Sequence, residues 1–294
     1  MSDHQQKNAV VWFVVLAFVL SWAWWGSIYL FKSSVPAPLY LVLLGIGMWG
    51  PGLTAILVTR FVLGERLRTT TINRLGRLRY YFWAWFVAVA GTIAVMLLTV
   101  LFGVSQFDFQ FTLARNQLNQ WLAEGAKVPS FLTPQVFALG GAFLAITIAP
   151  FINCFFALGE ELGWRGFLLP RLIQTGMGQW KALLLSGAIW GIWHAPAIVQ
   201  GHNYPLHPYL GVLLMTAFCV LLGIIFGWLR LASGSVWAPT FAHGAFNAVA
   251  GLPMLITTPC DWAIGGMLTS LIGWIPLALF IAWLAWTKRL PVQT

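Results

Sequence analysis

Acidic residues are scarce in this chain: seven Asp or Glu among 294 residues, against sixteen Lys or Arg. Charged side chains of both signs amount to 8% of the sequence while 60% of it is hydrophobic. Several apolar stretches reach about 18 residues or more, enough to cross a bilayer. A soluble globular domain and a disordered chain are both excluded by that balance. Cysteine is almost missing as well, and Cys154, Cys219 and Cys260 form an odd, scattered set. No Cys-x-x-Cys spacing and no His-Glu-x-x-His helix occurs, so neither a disulfide scaffold nor a zinc ribbon is written here. No fixed-period repeat or low-complexity tract interrupts the chain. The net charge of +9 gathers at the ends of apolar runs and not in one patch, which points to an anionic membrane surface and to no nucleic-acid partner.

What is present reads as an all-α, polytopic membrane domain covering residues 1–294, with about eight transmembrane helices and the lipid bilayer as its first partner. The opening run, residues 9–31, is too long for the apolar core of a cleaved signal and lacks a small-residue cleavage site, so it is expected to stay as the first helix. Further spans are expected at 39–63, 80–104, 134–158 (continuing past Glu160 and Glu161), 181–199, 208–230, 236–256 and 263–287. Pro150 is placed to kink the fourth. Residues 105–133 read as a connector. With the N-terminus in the cytosol, thirteen of the sixteen basic residues fall on the inner side and only Lys32, Arg115 and Lys127 on the outer. Both termini are therefore expected to be cytosolic.

Against that background Glu160 and Glu161 stand out. The other five acidic residues, Asp3, Glu65, Asp108, Glu124 and Asp261, fall in the tail or in connecting segments. A carboxylate at membrane depth costs at least a few kcal/mol unless a partner or water receives it, so a functional site is the default expectation. A purely structural alternative pairs Glu161 with Arg165 one helical turn later. That pairing leaves Glu160 without an explanation.

Two other apolar spans carry polar groups. His194 stands alone in its span and would pass for a packing residue. His243 and Asn247, four residues apart, share one helical face and would pass for interhelical glue. Counted at about 1.5 Å per residue from the basic ends of their helices, Glu160, His243 and His194 lie roughly 14, 12 and 20 Å deep. They can meet in one membrane-embedded pocket. A water-filled cavity opening to the cytosol beside Ala195 and Ala242 is expected to serve it. His202 and His207 fall in an outer loop and read as solvated.

Glu160-Glu161-x-x-x-Arg165, then Trp190 four residues before His194, then His243-x-x-x-Asn247 resembles, in order and spacing, the three-motif signature of the CPBP family. That family comprises CAAX proteases and bacteriocin-processing enzymes, also called the Abi family. The resemblance covers about residues 150–255, the core carrying the motifs, and the run 163–172 is similar to bacterial members. Where the family commonly has Phe this chain has Trp190, a departure expected to alter packing more than chemistry. The resemblance implies an intramembrane endopeptidase acting near the cytosolic side on a peptide or protein substrate, prenylated in eukaryotic or archaeal members. It implies the inner membrane in a bacterium and the endoplasmic reticulum in a eukaryote.

Peptide hydrolysis needs a base for water and donors for the developing oxyanion. Glu160 and His194 suit the first task, His243 and Asn247 the second, with Glu161 and Arg165 as a supporting ion pair. The family is conventionally filed among metalloproteases, and Glu160, His194 and His243 are the residues that would hold zinc with an open fourth position. A metal-free, glutamate-activated water uses the same residues, so both cofactor states, none or zinc, stay open. Two non-enzyme alternatives are a bacteriocin-immunity or scaffold protein and, less well matched, an ion-coupled transporter, whose polar groups would be distributed over both halves of the chain.

Overall fold

The computed structural model describes residues 3–293, which are helical throughout apart from turns and one bridge between Phe107 and Thr257. Helices dominate because lipid offers the backbone no hydrogen-bond partner, so each segment must satisfy its own. In chain order they are α1 (Asp3–Leu30), α2 (Ala37–Gly47), α3 (Trp49–Leu57), α4 (Arg79–Leu101) and α5 (Thr112–Ala123). Then come α6 (Pro134–Thr147), α7 (Ala149–Glu161), α8 (Leu169–Gln174), α9 (Gln179–Trp193) and α10 (Ala195–Val199). The last four are α11 (Leu210–Ser233), α12 (Trp237–Val249), α13 (Leu252–Ile256) and α14 (Leu271–Trp286).

Side-chain hydrogen bonds between connecting segments define two ends of the bundle. At the basic end Arg171 meets Gln6 (2.8 Å) and Glu65, Ser235 Oγ donates to the Arg74 carbonyl (2.6 Å), and Gln179 bonds the backbone of Val292 in both directions (2.8 Å each). At the other end Tyr40 donates to Gln200 (2.8 Å), Ser105 to the Thr258 carbonyl (2.6 Å) and Tyr204 to the Thr269 carbonyl (2.7 Å). His207 Nε2 lies 2.6 Å from Asp261 Oδ2 there, so this histidine is tied down and not simply solvated as expected. Gln6 and Val292 both lie at the basic end.

The apolar helices are not uniform in length. Gln5–Leu30, Leu39–Val62, Arg79–Leu101 and Leu210–Ser233 are each long and apolar enough to cross a membrane, and Pro134–Thr147 with Ala149–Gln174, bent by 52°, makes a fifth. Three others are shorter, α9 with 15 residues, α12 with 13 and α14 with 16. The continuous spans expected at 181–199, 236–256 and 263–287 are thus corrected. Pro196 has no N–H to continue the ladder, so α9 stops and α10 restarts with Pro in its first turn. Gly251 and Pro253 do the same between α12 and α13. Residues 263–270 form turns that include Gly266 at φ +79°, and α14 begins only where Ser270 caps the Gly273 amide. The 52° bend lies beside Pro150, as its position suggested. The segment 105–133 contains α5, which buries Ala114 and Leu118, and the Asp108 amide donates to the Ile256 carbonyl at 2.8 Å.

Two close helix pairs build the floor of the site. A Cβ at Gly191 of α9 would collide with Thr216 of α11, and one at Gly244 of α12 would sit 2.6 Å from the Pro150 carbonyl oxygen of α7. Glycine at those positions lets the backbones approach, which is how helices associate where no hydrophobic effect separates lipid from side chain.

Candidate active site

Local helix geometry sets the two carboxylates. The last residue of α7 is Glu161, and the next seven, Leu162–Leu168, widen into a π-helical turn before α8 resumes. Such turns concentrate at functional sites because they rotate the rest of the helix and loosen backbone carbonyls. One of these, the Arg165 carbonyl, accepts from Arg230 Nε of α11 at 3.0 Å. The two glutamates are adjacent in sequence and therefore point about 100° apart around the helix.

Their surroundings differ completely. Glu161 is fully buried, and its Oε1 accepts from Arg165 Nη1 at 2.8 Å and from His243 Nδ1 at 2.9 Å. Arg165 sits in an aromatic bed, its guanidinium 4.1 Å from the Trp190 ring centroid and 5.1 Å from that of Phe226. Glu160, 1% exposed, pairs with no cation among the described residues. Its Oε2 accepts from Trp190 Nε1 at 2.5 Å.

The histidines carry their own directional information. His194 directly succeeds the last residue of α9, and its Nδ1 lies 2.9 Å from the Trp190 carbonyl. A carbonyl can only accept, so Nδ1 bears the hydrogen, and in the neutral ring Nε2 keeps its lone pair. The same logic applies to His243, whose Nδ1 faces a carboxylate. Cys219 Sγ lies 3.8 Å from His194 Nδ1. That nitrogen's hydrogen is already committed, so it is no base for the thiol.

Six of the seven residues singled out by spacing come together: Glu160, Glu161, Arg165, Trp190, His194 and His243. Trp190 touches the rest, with ring centroids 5.7 Å from His194 and 5.6 Å from His243. Asn247, one turn beyond His243, is exposed, and His194 is half-buried. The expected pairing of His243 and Asn247 toward one point is modified by Glu161, which claims the Nδ1 side of the imidazole. Arg165 is also removed from the cytosolic charge count, since it is buried in the cluster.

The two alanines of the expected access route differ in exposure. Ala242 is completely buried, and residues between the cluster and the basic end are buried on all four surrounding helices, among them Phe167, Leu183, Phe226 and Ala238. His194 and Ala195 are part-exposed and Asn247 is exposed. A cavity of about 270 Å³ does exist at the basic end, lined by Gln6, Glu65, Thr70, Phe167 and Arg171 among others, but by none of the cluster's carboxylates or imidazoles.

Spacing gave no sign of α11. Phe226, Cys219 and Arg230 all touch the site, yet no motif marks them. Arg230 reads from sequence as an ordinary charge at the end of a span, and an intramembrane Phe carries no signal at all.

Zinc does not fit this arrangement. Among the described residues no three His, Cys, Asp or Glu side chains gather as a metal site. The donor atoms are not the obstacle, since the Nδ1 bonds of His194 and His243 leave Nε2 of each free; the side chains do not converge on one point.

Residues 141–249 match the family model described as type II CAAX prenyl endopeptidase Rce1-like. A CAAX prenyl protease 2 from Methanococcus maripaludis is 26% identical over 209 residues, a match covering 69% of this chain and 68% of that protein.

Proposed function

Because the chain belongs to the CAAX protease (CPBP) family of membrane endopeptidases, we propose that it hydrolyses a peptide bond with a water activated by Glu160 and His194. One observation carries this assignment: of two adjacent buried carboxylates, Glu161 pairs with Arg165 and accepts from His243, whereas Glu160 forms no ion pair among the described residues and accepts from an indole N–H. A carboxylate without a counter-ion keeps its lone pairs for a proton in transit. Glu160 removes a proton from water as its oxygen adds to the carbonyl carbon. His194, with Nε2 bare in its neutral tautomer, receives that proton from Glu160 and delivers it to the amide nitrogen as the C–N bond breaks, which releases a carboxylic acid and an amine. The Asn247 amide, open to an incoming chain, donates to the oxyanion. His243 joins it through Nε2 only as the imidazolium, since Nδ1 is committed, and the Glu161 carboxylate against it balances that charge.

The relative's name assigns it a prenylated CAAX substrate. Carried to this chain, the substrate is a peptide or protein whose lipid rests in the bilayer while the scissile bond enters beside His194 and Asn247. With the basic end in the cytosol, the cluster lies roughly 12 to 20 Å inside from it by helical rise. Purified protein given a prenylated CAAX peptide, an unprenylated copy and membrane extracts is expected to yield products in mass spectrometry that the Glu160→Ala protein does not make. Identical products from both proteins would overturn the assignment.

The chemistry needs no ligand to a metal, so protein stripped by exhaustive chelation and free of zinc by elemental analysis is expected to keep its turnover. Loss restored by one equivalent of zinc would instead require Glu160, His194 and His243 to regroup as ligands.

A further inference from the structure

We infer that Trp190 is a positioning residue that assigns the two adjacent glutamates their different roles, through its indole N–H on Glu160 and its ring face on Arg165. The inference rests on Glu160 as the base. Three contacts of one residue carry it. The edge of the ring donates from Nε1 to Glu160 Oε2 at 2.5 Å. The face lies 4.1 Å from the Arg165 guanidinium, which is thereby held on Glu161. The backbone carbonyl of the same residue fixes the His194 tautomer. Trp190 is 2% exposed and packed against Phe226 and His243, so its rotamer is set by its neighbours.

A phenyl ring at this position would supply the face and no donor. Glu160 would then lack its one fixed hydrogen bond, and Arg165, with five N–H groups, would be free to serve either carboxylate. The indole prevents both. By holding one oxygen of Glu160 it limits rotation of the carboxylate and aims the other, a restriction that contributes to rate by orientation. On this inference Trp in place of Phe acts on the chemistry as well as on the packing.

The test removes the donor and keeps the shape. Replacing Trp190 with β-(3-benzothienyl)alanine exchanges N–H for sulfur in a ring of the same outline. The expected result is a fall in kcat of about tenfold, the scale of one charge-assisted hydrogen bond, with KM within about twofold and the unfolding midpoint unchanged. In a Glu160→Gln background the same replacement is expected to leave the residual rate where it is. Wild-type kcat in the analogue protein would overturn the inference, as would a loss of kcat that tracks a lowered midpoint, since packing alone would explain it. Full turnover by Glu160→Gln itself would instead remove the base on which the inference rests. An inactive Glu160→Gln beside a fully active analogue protein would reject only the role of Trp190.

Discussion

Glu160→Gln is expected to yield a folded protein, normally inserted, whose kcat falls by about 10²- to 10⁴-fold, the range a positioned general base contributes. The amide keeps the volume and an oxygen to accept from Trp190 Nε1, so the hydrogen bond at 2.5 Å need not be lost. It cannot, however, take a proton from water. Because Glu160 neutralises no cation among the described residues, its replacement leaves no buried charge unpaired. The unfolding midpoint in detergent should therefore stay close to wild type. Single-turnover rates and the midpoint, measured on the same preparation, separate the two effects. Turnover at the wild-type rate would exclude Glu160 as the base.

Glu161→Ala should do the opposite, and so should Arg165→Ala. Each removes one partner of an ion pair 2.8 Å apart whose side chains are 0% and 2% exposed. Breaking such a pair costs about 3–5 kcal/mol, because the remaining charge is left in a dry interior. Removing Arg165 also vacates the space against Trp190 and Phe226. Low yield and a markedly lower unfolding midpoint are the expected readouts for both. The double replacement Glu161→Gln with Arg165→Met should recover much of the midpoint, since no unpaired charge then remains. Activity lost in Glu161→Ala with the midpoint unchanged would place Glu161 in the chemistry and not beneath it.

The opposite character of these two expectations shows where sequence spacing stops. The Glu161–Arg165 pair arises from the helix repeat alone, since residues four apart share a face, and it survives the change to a π turn at Leu162. The partners that distinguish the glutamates come from far along the chain: Trp190 is 30 residues from Glu160, and His243 is 82 from Glu161. Which indole or imidazole reaches which carboxylate depends on how each helix is rotated about its axis. Collisions such as Gly191 against Thr216 and Gly244 against Pro150 set those rotations, and no local pattern records them.

The membrane class, the helical architecture and the gathering of basic residues at one end were determined by the sequence by itself. They result from composition and from the cost of unpaired backbone and charge in hydrocarbon, which act on every residue regardless of its neighbours. So was the candidate list, because a carboxylate or imidazole in an apolar span is costly wherever the helix turns. Only the tertiary structure decided that Ala242 is buried while Asn247 is exposed, and that α11 brings Arg230 to the Arg165 carbonyl. Packing made those choices, because a close-packed interior selects one rotation and one spacing for each helix pair, and hydrogen bonds form only between the groups that this selection brings within reach.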